Sequence, residues 1–325
     1  MILMKKLAAC LLLPAAMTLA ACSTPESTDP EAKSGKPNIV VSFYGLEYTA
    51  QQIVGDHATV TTLTQPGQEA HGLELKPNQV ASLGKADLVV YLKQFQPAVD
   101  EAVQQSGNEH ILDAAQYAEL LPAQGGHGHD HEHSEEGHDH DHGEEGHDHD
   151  HGDFDPHYWL DPNRMAKVGH ALADQLSEQY PDMKDDLQAN AKKFEASMSA
   201  IDEEYKSGLS KCERKEFITS HTAFNYLAKN YGLTEIGISG INPDGEPSPA
   251  RIAEVQKLAS EHGVTTIFFE TLTSPAVSKA IAGDLNLKTA VLDPLEGVTD
   301  NSPGDDYPSI MRANLKALKE ANGCN

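Results

Sequence analysis

The chain has 325 residues, with 50 Asp and Glu against 24 Lys and Arg, a formal net charge of −26 with His neutral. So acidic a protein is excluded as a general nucleic-acid binder, which needs a basic face; it suits an extracytoplasmic protein that attracts cations. Once a leader and tether are set aside, about 290 residues remain, more than one typical domain and enough for two lobes.

The leader is residues 1–21. Lys5 and Lys6 precede a mostly apolar stretch, Leu7 to Leu19, too short to span a bilayer comfortably and followed by small residues, as in a secretory signal peptide. It ends Leu19-Ala20-Ala21-Cys22, which resembles the bacterial lipobox. That implies cleavage before a diacylated Cys22 and an extracytoplasmic protein held at the membrane surface; ordinary cleavage after Ala-Ala is the alternative. Residues 22–36, rich in Ser, Thr, Pro, Glu and Lys, read as a flexible tether.

The first lobe is expected over 37–181. Asn38–Phe43 reads as a buried strand, Gly45–Gly55 as a helix and Ala58–Leu63 as a β-branched strand. Pro66-Gly67 marks a turn. A helix opens at Lys76-Pro77 and ends near Gly84. Ala86–Leu92 is a strand, Pro97–Gln105 a helix and Ile111–Asp113 a short strand. Pro162 begins a helix to about Tyr180. A linking helix follows over 182–207, with Leu187, Ala191, Phe194, Met198 and Ile201 at helical spacing. With no strand between them, these two helices read as a spine.

The second lobe, 208–325, resumes the alternation. Strands are predicted at Glu216–Ser220, Thr234–Gly240, Val264–Glu270 and Lys288–Leu292. Helices are predicted at Ala223–Tyr231, at Pro249 to about His262 behind a Ser248 cap, at Pro275–Asp284 and at Tyr307–Ala321. Strands alternating with helices indicate parallel sheets, so the expected fold is α/β: two parallel-sheet lobes joined by a long rigid helix. Cys10 leaves with the leader and Cys22 takes the lipid, so Cys212 and Cys324 remain in an oxidising compartment. A disulfide between them is the simple expectation, worth roughly 4 kcal/mol on a chain-entropy argument, with two free thiols the alternative.

Residues 124–152 hold ten histidines and ten acids, and EEGHDHDHG occurs twice in tandem. No apolar side chain interrupts the run, so it cannot bury a face and is expected to stay solvated. Alternating imidazole and carboxylate suit borderline divalent ions, Zn²⁺ above all. His127, His129, His131, His133, His138, His140, His142, His147, His149 and His151 are therefore candidate weak metal sites.

Seven histidines lie outside the run. His71, His157 and His221 stand in loops, the first and last just past predicted strands, where α/β proteins place ligand sites. His57, His110, His170 and His262 read as structural or surface residues. A tetrahedral zinc site needs a fourth group, and the loop Leu292-Asp-Pro-Leu-Glu-Gly297 offers Asp293 and Glu296.

The stretches Pro66–His71 with Leu75–Pro77, Ala86–Tyr91, Pro156–Pro162, Ser220–Tyr226, Gly240–Pro249 and Val291–Glu296 occur in one order over about 38–325. In these the chain resembles the cluster A-I substrate-binding lipoproteins of metal ABC transporters, and within them the zinc-binding group. The resemblance implies a non-enzymatic monomer with a Zn²⁺ site in the interlobe cleft, delivering the ion to a membrane permease and its ATPase. It carries the metal histidines over to His71, His157 and His221. Zinc members carry a His/acid loop just before the second of these, as here; manganese members lack it and have Glu at the third position. The fourth ligand varies in the family. Ala70 removes the option of a Glu adjacent to His71, with Glu69 one place further back. Glu296 matches the Pro-Leu-Glu type of zinc binder and is the expected ligand, with Asp293 or water as alternatives.

Other readings of the same residues are a manganese or other divalent-metal binder, an extracellular zinc buffer or adhesin, and a zinc hydrolase. Against the last, no His-Glu-x-x-His helix is present and no paired base is evident; turnover of ester, peptide or bicarbonate by the zinc form would favour it. A deletion phenotype unlike that of the permease would favour the buffer or adhesin.

Overall fold

The computed structural model describes residues 35–123 and 154–325. The ten histidines of the run and the lipobox Cys22 lie outside the described residues.

In the first lobe, β1 (Asn38–Val41), α1 (Tyr44–Val54), β2 (Thr59–Thr62), α2 (Pro77–Leu83), β3 (Leu88–Tyr91), α3 (Pro97–Gln105) and β4 (Ile111–Asp113) alternate. Their strands form a parallel sheet in the order β2-β1-β3-β4. A short α4 (Ala115–Ala118) follows, then β5 (Leu121–Pro122), which pairs antiparallel with β6 (Phe154–Asp155). Neither α4 nor this two-residue ladder is predicted above, because neither shows a periodicity or a flanking turn signal long enough to read.

Two long helices follow, α5 (Pro162–Gln179) and α6 (Lys184–Leu209), with a 3₁₀ turn at Pro181–Met183 between them. The second lobe runs β7 (Glu216–Thr219), α7 (Asn225–Tyr231), β8 (Thr234–Gly237), α8 (Pro249–Glu261), β9 (Thr266–Phe269), α9 (Ala276–Asp284), β10 (Lys288–Val291) and α10 (Tyr307–Asn322). Its sheet is parallel, in the order β10-β9-β7-β8. The fold is thus α/β with two parallel sheets, and a long helix joins two lobes.

Alternation along the central strands assigns their faces. Ile39 and Val41 of β1 and Leu88 and Val90 of β3 join the large core on one side, while Val40 and Val89 pack with Val99 and Val103 of α3. Phe217 and Phe268 face the large core in the second lobe, and Ile218 and Ile267 face Val255 of α8 and Ile281 of α9. Both faces of each sheet are covered, which is why these strands read as continuous apolar runs. The large core is shared: α6 contributes Leu187, Ala191, Phe194, Met198, Ile201, Tyr205 and Leu209, all buried, to a cluster that also holds Leu46 of α1 and Met311 of α10. The Tyr205 hydroxyl donates to the Met311 carbonyl at 2.6 Å. Gly169 lets α5 and α6 approach closely, since a Cβ there would sit 2.7 Å from the Phe194 ring.

Helix boundaries follow local chemistry. Asp161 accepts from the backbone N–H of Asn163 and Arg164 ahead of Pro162, Ser248 accepts from Arg251 N–H ahead of Pro249, and Asp306 and Ser309 form a reciprocal cap on α10. Gly323, at φ 65°, closes α10 in the left-handed conformation that glycine tolerates. The next residue, Cys324, is joined to Cys212 by a disulfide across 112 residues of sequence. It ties the end of α10 to the turn between α6 and β7. Reduction is expected to destabilise the fold by about 4 kcal/mol, as loop-closure entropy returns to the unfolded chain. Thermal unfolding with and without reductant measures this, alongside a thiol count on denatured, unreduced protein lacking Cys22; two free thiols and an unchanged midpoint would contradict it.

Candidate metal centre

Four side chains converge where the two sheets present the carboxyl ends of their strands, the usual place for a ligand in such folds. His71 lies in the loop after β2, His157 just after β6, His221 just after β7 and Glu296 in the loop after β10. One ligand-capable atom from each lies within 4.8 Å of the others, and all four residues are buried. Glu296 Oε1 is 3.3 Å from the Nε2 of His71, 3.3 Å from that of His157 and 3.2 Å from that of His221. The Nε2 atoms of His71 and His157 are 3.2 Å apart. Donors arranged tetrahedrally on bonds of about 2.0 Å would be separated by about 3.3 Å.

Each imidazole is oriented from behind. His157 Nδ1 donates to Asp155 Oδ1 at 2.8 Å, and that oxygen also accepts the His157 backbone N–H at 3.0 Å. His221 Nδ1 donates to Glu270 Oε1 at 2.7 Å, and Ser220 Oγ donates to the same oxygen at 2.5 Å. With Nδ1 carrying the proton, Nε2 of both rings is left to face the centre. His71 stacks edge-on against Phe95, ring centres 4.8 Å apart, and its backbone N–H donates to Glu69 Oε1 at 2.8 Å. Glu69 Oε2 accepts the Gly72 N–H, also at 2.8 Å. Glu69 therefore shapes the His71 loop and does not join the four.

The two acids of the last loop have separate tasks. Asp293 Oδ1 accepts the Leu295 N–H at 2.9 Å and its Oδ2 accepts from Thr271, while Asn314 brackets its backbone on both sides. This turn holds Leu295 at φ 58°, a left-handed conformation unusual for a branched residue. Trp159 Nε1 donates to the Pro294 carbonyl at 2.7 Å. Asp293 thus builds the turn that delivers Glu296.

Gly237 makes room for Thr222, the residue after His221. A Cβ there would fall 2.1 Å from Thr222 Oγ1. The helix predicted from Ala223 starts only at Asn225, because the half-buried Glu235 carboxylate accepts the N–H of Ala223 and Phe224 and stabilises a turn there instead. His57 and His170 pair at the surface with Asp186 and Glu195, His262 lies 3.5 Å from Glu216, and exposed His110 contacts Gln179.

The electrostatics show what the centre is suited to hold. Burial lowers His71 toward the neutral form. Burial opposes charge on His157 too, but the Asp155 and Glu296 carboxylates outweigh it and push the imidazole up to about 9. His221 is raised well above its usual value against the same burial penalty by Glu270 and Glu296, and the imidazoles hold Glu296 well below the carboxylate range although burial alone would raise it. Glu69 is pushed up to about 7 by burial and by its neighbour Glu296. These opposed shifts mark a site shaped to concentrate lone pairs. Among the described residues, buried His221 Nε2 makes no well-formed hydrogen bond although Glu296 Oε1 is 3.2 Å away, and buried Glu296 Oε2 has no partner; such atoms are costly unless something else satisfies them. A borderline divalent cation fits: three imidazole nitrogens and a carboxylate are a zinc-type donor set.

The orienting carboxylates Asp155 and Glu270 are not picked out by the sequence reading. Asp155 carries a signal in the Asp-Pro-His spacing, and Glu270 in its position at the end of a predicted strand. Tyr226, whose hydroxyl donates to the Asp155 carbonyl and accepts from Leu121 N–H, enters the sequence reading only as the last residue of the Ser220–Tyr226 stretch.

Comparison with known proteins bears on this centre. The family model described as zinc-uptake complex component A, periplasmic, matches residues 39–321. The zinc-binding lipoprotein AdcA of Streptococcus pneumoniae is 38% identical over 98% of this chain, which spans only 61% of that relative's length. The high-affinity zinc uptake system protein ZnuA of Bacillus subtilis is 37% identical over 97% of this chain and 95% of its own. The Zn(II)-bound ZnuA-like domain of the S. pneumoniae AdcA superposes with a TM-score of 0.71 at 34% identity, covering 89% of this chain and 99% of that domain. A match that runs from β1 into α10 includes all four converging residues, and the chain belongs to the zinc-uptake complex component A family.

Proposed function

We propose that this protein captures Zn²⁺ on the outer side of a membrane, to which a lipid on Cys22 anchors it, and delivers the ion to an ABC permease powered by its ATPase. The observation that carries this reading is the buried cluster of His71, His157, His221 and Glu296. Zinc is the cargo, held by three nitrogens and one carboxylate oxygen, with Asp155 and Glu270 fixing two of the rings. Four protein donors complete a tetrahedron and leave no open position for substrate, which favours capture over hydrolysis. The His/acid run, which precedes β6 in the sequence, serves as a set of weak collecting sites, since its closely spaced imidazoles and carboxylates are donors that suit borderline divalent ions.

Removing residues 124–152 is expected to leave one tight zinc site, because none of the four converging residues lies in that stretch. Titration against a competing chelator tests this, and loss of all tight binding would overturn the assignment. Glu270→Gln and Asp155→Asn should each weaken the site by about 10–100-fold, with His221→Ala costing more. Glu296→Gln should weaken it at least tenfold, whereas Asp293→Asn should change it little; the reverse order would make Asp293 the ligand.

Proton release gives an independent check. The Asp155 and Glu296 carboxylates push His157 up to about 9, so protons compete with zinc for this ring below that pH. Affinity should therefore climb as pH rises toward about 9, and binding near pH 7 should release at least about one proton. Calorimetry in buffers of different ionisation heat measures this, and zero release would contradict it.

A further inference from the structure

The four converging residues are closed off from solvent, so an ion must reach them by some route. His71, at 5% exposure, is the least enclosed; His157, His221 and Glu296 are at 0–1%. Beside it a cavity of about 510 Å³ opens to the surface. Its walls carry Glu69, two residues before His71, and Ser220, next to His221, and the acids Asp244, Glu246 and Glu270, with no Lys, Arg or His among the described residues. Glu69 comes from the first lobe and the others from the second. Gly72 lies between Glu69 and Asp244: a Cβ on it would be 3.5 Å from Glu69 Oε2 and 3.2 Å from Asp244 Oδ2. The missing side chain keeps the gap between these carboxylates open. Glu270 supplies the second observation. It is buried, and its Oε1 is used by His221 and Ser220, but its Oε2 has no hydrogen-bond partner among the described residues.

We propose that this cavity is an entry site, in which Glu69, Asp244, Glu246 and Glu270 take up a hydrated divalent cation before it passes beside His71 to the four-ligand centre. The inference rests on the reading of that centre as the zinc site. Asp244 and Glu246 at the exposed mouth attract the ion, and the Glu69–Asp244 gap replaces part of its water shell. The free oxygen of Glu270 draws it inward to a carboxylate already bonded to His221. Clefts lined with one sign of charge raise association rates by about 10–1,000-fold, an effect that salt suppresses.

The chain holds a single tryptophan, and Trp159 packs on His157 with ring centres 5.2 Å apart. Its fluorescence therefore reports filling of the centre in the full-length mature protein, His/acid run included. Stopped-flow mixing with Zn²⁺ is measured for wild type, Asp244→Asn, Asp244→Glu, the double variant Asp244→Asn/Glu246→Gln, and Glu320→Gln on α10, outside the cavity. The expected result is a roughly tenfold slower association for the double variant at low salt. The salt dependence should be flattened, Asp244→Glu should keep the wild-type rate, and Glu320→Gln should have no effect. Release into a chelator should slow in parallel, so that the equilibrium constant moves far less than either rate. A double-variant association rate within twofold of wild type, or equal slowing by Glu320→Gln, would overturn the entry site. Absence of any tight zinc binding in the wild type would instead overturn the reading of the centre.

Discussion

A single carboxylate oxygen, Glu296 Oε1, lies 3.2–3.3 Å from three imidazole nitrogens in a place that water does not reach. Burying so many polar atoms is costly unless their charges and lone pairs are matched. Protons match them incompletely: among the described residues His221 Nε2 makes no well-formed hydrogen bond and Glu296 Oε2 has no partner. A divalent cation at the focus would answer all four donors together. Most of what surrounds the centre serves to hold that convergence: Asp155 and Glu270 behind two rings, Phe95 against the third, and the Asp293–Asn314 turn that presents Glu296 with Leu295 in a left-handed conformation.

The donors come from both sheets, so the lobes must be held in register to fractions of an ångström. Here that register is set by packing. The long helix α6 lies in the same apolar cluster as residues of both lobes, Tyr205 is hydrogen-bonded into α10, and Tyr226 of α7 reaches the Leu121 and Asp155 backbones of β5 and β6. Tyr307 at the start of α10 likewise donates to the Trp159 carbonyl, two residues from His157. Such an interior transmits strain and deforms little, which favours small adjustments at the cleft over wide opening of the lobes.

The alternation of strands and helices was legible because both faces of each sheet are buried, so Asn38–Phe43, Ala86–Leu92 and Val264–Glu270 read as unbroken apolar runs. The spine was legible from the spacing of Leu187, Ala191, Phe194, Met198 and Ile201. The three loop histidines could be singled out by their positions and by the family resemblance. What sequence could not convey is long-range. The pairing of β5 with β6 is closed across the whole His/acid run. The turn at 221–224 depends on Glu235, more than ten residues downstream. The choice between Asp293 and Glu296 depends on Thr271 and Asn314, which engage one acid and leave the other directed at the centre.

X-ray absorption at the zinc edge, on protein lacking 124–152 and loaded with one equivalent of Zn²⁺, examines this convergence most directly. The account predicts four nitrogen or oxygen scatterers at about 2.0 Å, with outer-shell scattering from three imidazoles and no sulfur. Sulfur at about 2.3 Å, or scattering from fewer than three imidazoles, would contradict it.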